Sequence, residues 1–343
     1  MASIPEIQNS PSKIQLERIS HVYFEHLDLG KLDEFAKDFG LVPAYEDSSQ
    51  IVYRGYGKDP YCYVARKSSD GTQSFGGAAF VAQTQADFDK AASMSGAVVS
   101  SLSPLPGGGR QVELKSPSGF PFHIVYGQEE RIRSETVPSA QVDYLGPFNG
   151  SIVKNRLVHV KGHFQRFHPG PAMVHKLGHY GFIVANWAEE VTWYTANFNF
   201  VPSDVQHSPD DASVDVITFM HLDLGERFSD HHSLFLARAP QGEHDRMHHT
   251  SFEVEDFDTQ ALGHEWLASK GHKPVWGIGR HILGSQIFDY WRDPSGFTIE
   301  HYADGDVVNV HSETKRSVAG PTAVWGPEFP KDMMKDGTRP TPA

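Results

Sequence analysis

Three pairs of short segments recur in the same order along this chain, and such a repeat constrains the fold more than any single motif. Ile19-Ser20-His21-Val22-Tyr23-Phe24 matches Leu177-Gly178-His179-Tyr180-Gly181-Phe182 at an offset of 158. Asp38-Phe39-Gly40-Leu41-Val42-Pro43 matches Asn197-Phe198-Asn199-Phe200-Val201-Pro202 at 159, and Ser116-Pro117-Ser118-Gly119-Phe120 matches Asp293-Pro294-Ser295-Gly296-Phe297 at 177. The chain is a duplicated unit. Its 343 residues are enough for two such units, each with a core of its own.

The pattern inside the second unit is regular. An alternating strand from His179 to Val184 leads into a helix from Ala188 to Asn199, with Val191, Tyr194 and Phe198 at helical spacing. Strands over Val214 to Leu222 and Ser233 to Arg238 follow. After Gly242-Glu243-His244 the unit restarts with a strand from His249 to Val254, then a helix from about Asp258 to Lys270 that Gly271 stops. Strands around Gly284 to Arg292 and Gly296 to Tyr302 close it, joined by the turn Asp293-Pro294-Ser295-Gly296. Each unit therefore predicts two strand–helix–strands modules side by side, an α+β architecture. The expected division is a tail over 1–14, an N-terminal domain over 15–135, a linker over 136–171, a C-terminal domain over 172–305 and a second tail over 306–343. In that second tail, Trp325 and Phe329 are candidates to pack back on the body.

Composition excludes several classes. A net charge of -13 argues against nucleic acid and anionic membrane as partners, since both need basic patches. No run approaches the roughly 18 apolar residues of a membrane span. The N-terminus has neither a basic region nor an apolar stretch, which speaks against secretion, and Cys62 is the one cysteine. Internal disulfides and cysteine-rich metal sites are thereby excluded, and a reducing, cytoplasmic compartment fits. Of the 20 histidines, His159, His163, His168 and His175 cluster around the linker and read as surface or structural residues.

Two histidines differ from the rest. His179 and His249 open equivalent strands, in His179-Tyr180-Gly181-Phe182-Ile183-Val184 and His249-Thr250-Ser251-Phe252-Glu253-Val254, so paired modules make them face each other across a shared concave sheet. Glu300 follows on a later strand, where an inward carboxylate is costly unless paired or metal-bound. One strand histidine alone reads as an ordinary half-buried residue. Two at matched positions plus a carboxylate, spaced 70 and 51 residues apart, are what a three-sided Fe(II) site with open positions requires; Mn(II) suits the same donors. In the first unit the counterparts of Glu300 and His249 are His123 and Gly77, so that unit is expected to hold no metal. His21 and His123 read as structural residues left from duplication.

Around the carboxylate, Gly279, His281, Tyr290, Asp293-Pro294-Ser295-Gly296 and Glu300 stand at fixed offsets. This run resembles the signature of the type I extradiol ring-cleaving dioxygenases, of the catechol 2,3 type, within the vicinal-oxygen-chelate (glyoxalase–bleomycin resistance–dioxygenase) superfamily. The likeness extends over about residues 15 to 305 in architecture and is sharp from Leu177 to Tyr302. Asp289 departs from the pattern, standing where the family has an apolar residue before the tyrosine. The resemblance implies paired βαβββ modules forming curved mixed sheets around a concave site. It implies that His179, His249 and Glu300 hold Fe(II), that His232 is the acid/base, and that His281 and Tyr290 orient the substrate. Tyr302 becomes a further pocket residue, and Trp276, Trp291 and Phe288 become candidate pocket aromatics. His231 competes with His232 for the acid/base role; the residues after His232 better match the family's histidine–strand pattern. The implied reaction opens a catechol-type ring beside its diol with both atoms of O2, and the implied assembly is a homo-oligomer.

Three rivals share the scaffold. One is an oxygenase that uses a 2-oxo acid on the same triad, whose likeness centres on a different C-terminal segment not found here. A glyoxalase-type lyase or isomerase typically needs a fourth ligand, often a second carboxylate, and no second acid lies in phase. A non-catalytic aromatic-binding module would leave the triad without purpose.

Overall fold

The computed structural model describes residues 3–132, 167–331 and 333. The expected linker lies outside the described residues over 136–166, which takes in His159 and His163.

The first unit runs β1 (Leu16–His26), α1 (Leu29–Asp38), β2 (Val42–Glu46), β3 (Gln50–Arg54), β4 (Tyr63–Lys67), β5 (Ser74–Ala82), α2 (Gln85–Ala92), β6 (Val98–Ser101), β7 (Arg110–Lys115) and β8 (Pro121–Tyr126). Its strands form one mixed sheet in the spatial order β2-β3-β4-β1-β5-β8-β7-β6. The second unit runs β9 (Lys176–Val184), α3 (Trp187–Asn197), β10 (Phe200–His207), β11 (Asp215–Leu222), β12 (Ser229–Asp230), β13 (Leu234–Arg238), β14 (Arg246–Glu253), α4 (Phe257–Ser269), β15 (Lys273–His281), β16 (Ile287–Arg292) and β17 (Thr298–Ala303). Its central order, β10-β11-β13-β9-β14-β17-β16-β15, repeats that of the first sheet strand for strand. The fold is α+β, built of two large curved mixed sheets.

Short-range chemistry sets the helix ends. Asp256 caps α4 by accepting from the Thr259 N–H at 2.8 Å, and Asp28 caps α1 through the Lys31 N–H at 3.0 Å. Gly271, at φ 82, ends α4 where a left-handed residue is needed.

Two strands escape the sequence reading. β10 carries Pro202, Ser203, Asp204 and Gln206, so its alternation is masked although most of it is buried. β15 carries Gly277 and Gly279 and is partly exposed. The expected C-terminal tail is also more structured than a docking segment. After β18 (Val307–Val308), which pairs with β12, it supplies β19 (Lys315–Val318), parallel to β10, and β20 (Ala323–Trp325), antiparallel to β15. The tail thus covers both edges of the second sheet, where unpaired N–H and C=O groups would otherwise be exposed.

One aromatic core joins the units. Phe120 stacks on Phe182 at 3.9 Å, Phe24 meets Phe297 at 4.5 Å, and the His301 ring stacks on Phe39 at 3.6 Å. Strand alternation explains why this core and the candidate site do not compete. On β9, Tyr180 and Phe182 join the core, while His179 and Gly181 face the opposite, concave side.

Candidate metal centre

The three central strands of the second sheet bring the expected ligands together. β9 and β14 pair Gly181 with His249, and β14 and β17 pair Ser251 with Glu300. These registers place His179, His249 and Glu300 on one face of neighbouring strands, all buried. His179 Nε2 lies 3.1 Å from His249 Nε2, and each is 3.2 Å from Glu300 Oε2. Three donors at cis positions about 2.2 Å from a common centre would lie about 3.1 Å apart, so the triangle fits one face of an octahedral ion. This is a three-residue metal site. Among the described residues it is the one group of its kind.

Electrostatics agree. Burial alone would raise the Glu300 carboxyl, but hydrogen bonds from His179 and His249 hold it well below the usual carboxylate range. Burial lowers His179, against the pull of Glu300. The set is thus an anionic carboxylate facing imidazoles whose nitrogens converge on one point, as a divalent cation requires.

The registers also explain why the first unit differs. There β1 and β5 pair Tyr23 with Gly77, and β5 and β8 pair Ala79 with His123. Gly77 therefore stands where His249 does, His123 stands where Glu300 does, and Tyr23 stands where Gly181 does. The Tyr23 hydroxyl lies 2.9 Å from His21 Nε2 and donates to Gln111 Oε1 at 2.8 Å, filling the space between the strands. His123 contacts the Gly76 carbonyl through Nε2 at 2.8 Å, and a Cβ at Gly77 would come within 2.6 Å of that nitrogen. In the second unit Gly181 leaves the equivalent space to Phe235, whose ring a Cβ would meet at 2.0 Å.

His179 and His249 open into a cavity of about 120 Å³. His232 lines it, its ring 4.1 Å from that of His179. His231 does not line it. Its Nδ1 lies 3.1 Å from His232 Nδ1 and its Nε2 lies 2.7 Å from Asp204 Oδ2. An acceptor at Asp204 places a proton on His231 Nε2, which leaves His231 Nδ1 to accept from His232 Nδ1–H. His232 then presents Nε2, with its lone pair, to the cavity. Burial and the neighbouring His179 keep His232 neutral, well below the usual histidine value.

On the opposite wall, His281 Nε2 lies 3.0 Å from the Tyr290 hydroxyl, and His281 Nδ1 lies 3.1 Å from the Thr322 carbonyl. The carbonyl can only accept, so Nδ1 carries the proton and Nε2 accepts from Tyr290. Burial pushes His281 down to about 4 and lifts the Tyr290 phenol well above its ordinary value.

Three of the expected pocket aromatics do not line this cavity. Trp291 lies on the far face of β16, its indole N–H donating to Asp289 Oδ2 at 2.7 Å and its ring against His264 at 5.1 Å. Period-two alternation puts it out of phase with Tyr290. Asp289, the departure from the family pattern, is thereby explained as the buried partner of Trp291 and His264. Phe288 backs the wall rather than forming it, packed at 3.9 Å on Trp276, which does line the cavity. Tyr302 sits beside His179 at 5.6 Å, against Gly178, but is not on the cavity wall. Sequence reasoning also missed His248, Phe219, Phe235, Gln206 and Gln286, and the tail residues Pro321, Thr322, Phe329 and Met333. Only the doubled His248-His249 carried any local signal.

Residues 176–301 match the family model described as the Glyoxalase/Bleomycin resistance protein/Dioxygenase superfamily. The match covers that segment of the chain. Over 132 residues the chain is 34% identical to Metapyrocatechase 2 of Cupriavidus necator, a match covering 37% of this chain and 38% of that protein's length. Two solved structures share the fold over nearly the whole chain. Homoprotocatechuate 2,3-dioxygenase from Arthrobacter globiformis aligns with a TM-score of 0.74 at 18% identity, over 95% of this chain and 92% of the other. An Mn(II)-bound glyoxalase from Novosphingobium aromaticivorans aligns with a TM-score of 0.73 at 19% identity, over 93% and 94%. At such identities these likenesses show the fold alone. No helix among the described residues is long and apolar enough to cross a membrane.

Proposed function

We propose that this protein is an Fe(II)-dependent extradiol dioxygenase that opens a catechol-type ring next to its diol, placing both atoms of O2 in a ring-opened semialdehyde acid. The observation that carries the reading is the buried His179–His249–Glu300 face looking into a cavity where His232 stands on one side and the His281–Tyr290 pair on the other. The ring-cleaving names of the curated relative and of one structural neighbour support it.

Bound by the triad, Fe(II) would supply open coordination positions for the diol and O2 and a path for electron density between them. Mn(II) fits the same donors. The protein's own groups do the rest. His232 Nε2 is placed to take a phenolic proton from the incoming diol and to return it later in the reaction. The Tyr290 oxygen, whose O–H donates to His281, is free to accept from a diol hydroxyl, and His281, fixed by its Nδ1–H to the Thr322 carbonyl, keeps that pair in one orientation. Phe219, Phe235 and Trp276 keep water from the ring. Within the same reading, the protein acts as a cytoplasmic homo-oligomer and divides into domains at 15–135 and 172–305.

Oxygen uptake by anaerobically Fe(II)-loaded protein across a panel of catechols, with absorbance followed in the same cuvette, tests this. Uptake with a new yellow chromophore is expected, and His249→Ala should abolish both the signal and most of the bound metal. One metal per chain with no uptake on any catechol would point instead to a lyase or isomerase of the superfamily.

A further inference from the structure

The walls of the cavity beyond the diol end bear on what the ring carries. Phe219 and Phe235, from β11 and β13, stand on one flank, with ring centroids 5.9 Å apart. Trp276, from β15, and Phe329, from the tail, stand on the other at 5.1 Å. The sheet order β11-β13-β9-β14-β17-β16-β15 sets these pairs on opposite sides of the ligand strands, so a ring held at the metal lies between two apolar walls. Ile217, Leu283 and Met333 continue this surface, and the non-histidine polar side chains on it are the uncharged Gln206, Gln286, Tyr290 and Thr322.

Among the described residues no lysine or arginine lines the cavity. Four arginines on its flanking strands are engaged elsewhere, Arg238 with the Asp215 carbonyl at 3.0 Å and Arg292 with Thr298 Oγ1 at 2.9 Å. Arg246 binds Glu243 at 2.6 Å, and Arg280 binds Asp304 at 2.7 Å and the Ser285 carbonyl at 2.6 Å. A carboxylate on the ring substituent would lose its water against aromatic and aliphatic side chains with no lysine or arginine among the described residues of the wall, which is costly. An alkyl or aryl substituent would instead bury apolar surface against these walls.

We propose that the pocket selects catechols whose ring substituent is uncharged and apolar, and rejects those carrying a carboxylate. The proposal rests on the extradiol reading for the diol end and on the walls for the substituent, and the two are separable by experiment.

The test compares 4-propylcatechol with 3,4-dihydroxyphenylacetate, first for binding under argon and then for turnover in air. Binding to the Fe(II)-loaded protein is read from quenching of tryptophan fluorescence, to which Trp276 in the wall contributes. The propyl compound should bind at least about 100-fold more tightly, and kcat/KM should follow the same order. Equal binding, or tighter binding of the carboxylate, would overturn the proposal while leaving the extradiol reading intact wherever rings are cleaved. A preserved preference with no cleavage of either compound would do the reverse. As a second variant, Phe329→Arg changes a residue at the solvent-facing end of the cavity, 41% exposed, and so spares the core. It should narrow the preference at least about tenfold by strengthening carboxylate binding. An unchanged ratio would place the substituent away from this wall and count against the proposal.

Discussion

His232 and His249 are both buried histidines on the concave face, yet their surroundings set them apart. The Nε2 of His249 converges with that of His179 on Glu300, whereas His232 is held from behind by His231 and keeps its Nε2 for the cavity. The two should therefore fail differently. His232→Gln should retain one metal per chain and lower kcat by about 10²- to 10⁴-fold, the usual size of a lost general acid–base contribution. Metal analysis beside single-turnover kinetics separates the outcomes. Loss of metal in this variant would make His232 a ligand-shell residue, and an unchanged kcat would remove it from the proton chemistry.

At the scale of elements, the decisive pieces are the segments that hold the walls. β20 pairs His281 with Ala323, the Thr322 carbonyl receives the His281 N–H, and the Pro327 carbonyl accepts from the Trp276 indole at 2.9 Å. Ending the chain at Gly320 removes all of these from β15 while leaving the triad strands untouched. Metal content should hold, and KM for a catechol should rise by about tenfold or more, since about 1.4 kcal/mol of lost binding is enough for that. A truncated protein with unchanged KM would show that the strap plays no part in the wall. The same segment marks where sequence reading stops. The triad strands were legible because duplication repeats their pattern in the same order at similar offsets, and because two histidines in matched phase are rare without a reason. β10 was hidden by Pro202 and its buried polar residues, and β15 by its glycines. The tail's strands carry no period of their own, because each is fixed by the edge it covers. Trp291 was misplaced because composition marks an aromatic residue, while only the register of β16 against β17 decides its face.

For the whole molecule, burial makes stability depend on histidines outside the metal triad. His26 on β1 reaches across to the second unit, with Nδ1 2.7 Å from Ser295 Oγ and Nε2 2.9 Å from the Tyr63 hydroxyl. Burial pushes it down to about 3 from the ordinary 6.5. Burial likewise takes His123 and His221 down to about 4. A histidine with a depressed folded-state value stays neutral when folded and takes up a proton when unfolded, so its contribution is complete above about pH 6.5. It is lost progressively as the pH falls toward the folded-state value. Each such residue should cost about 1.4 kcal/mol by pH 5.5, or about 4 kcal/mol for the three together. Urea unfolding of the metal-free protein between pH 7.5 and 5.5 should therefore show stability falling with pH. In His26→Gln the glutamine cannot be protonated, so the slope should flatten by about one proton near pH 5.5. Equal slopes in the two proteins would mean that His26 is charged in the folded state, against its burial between the two units.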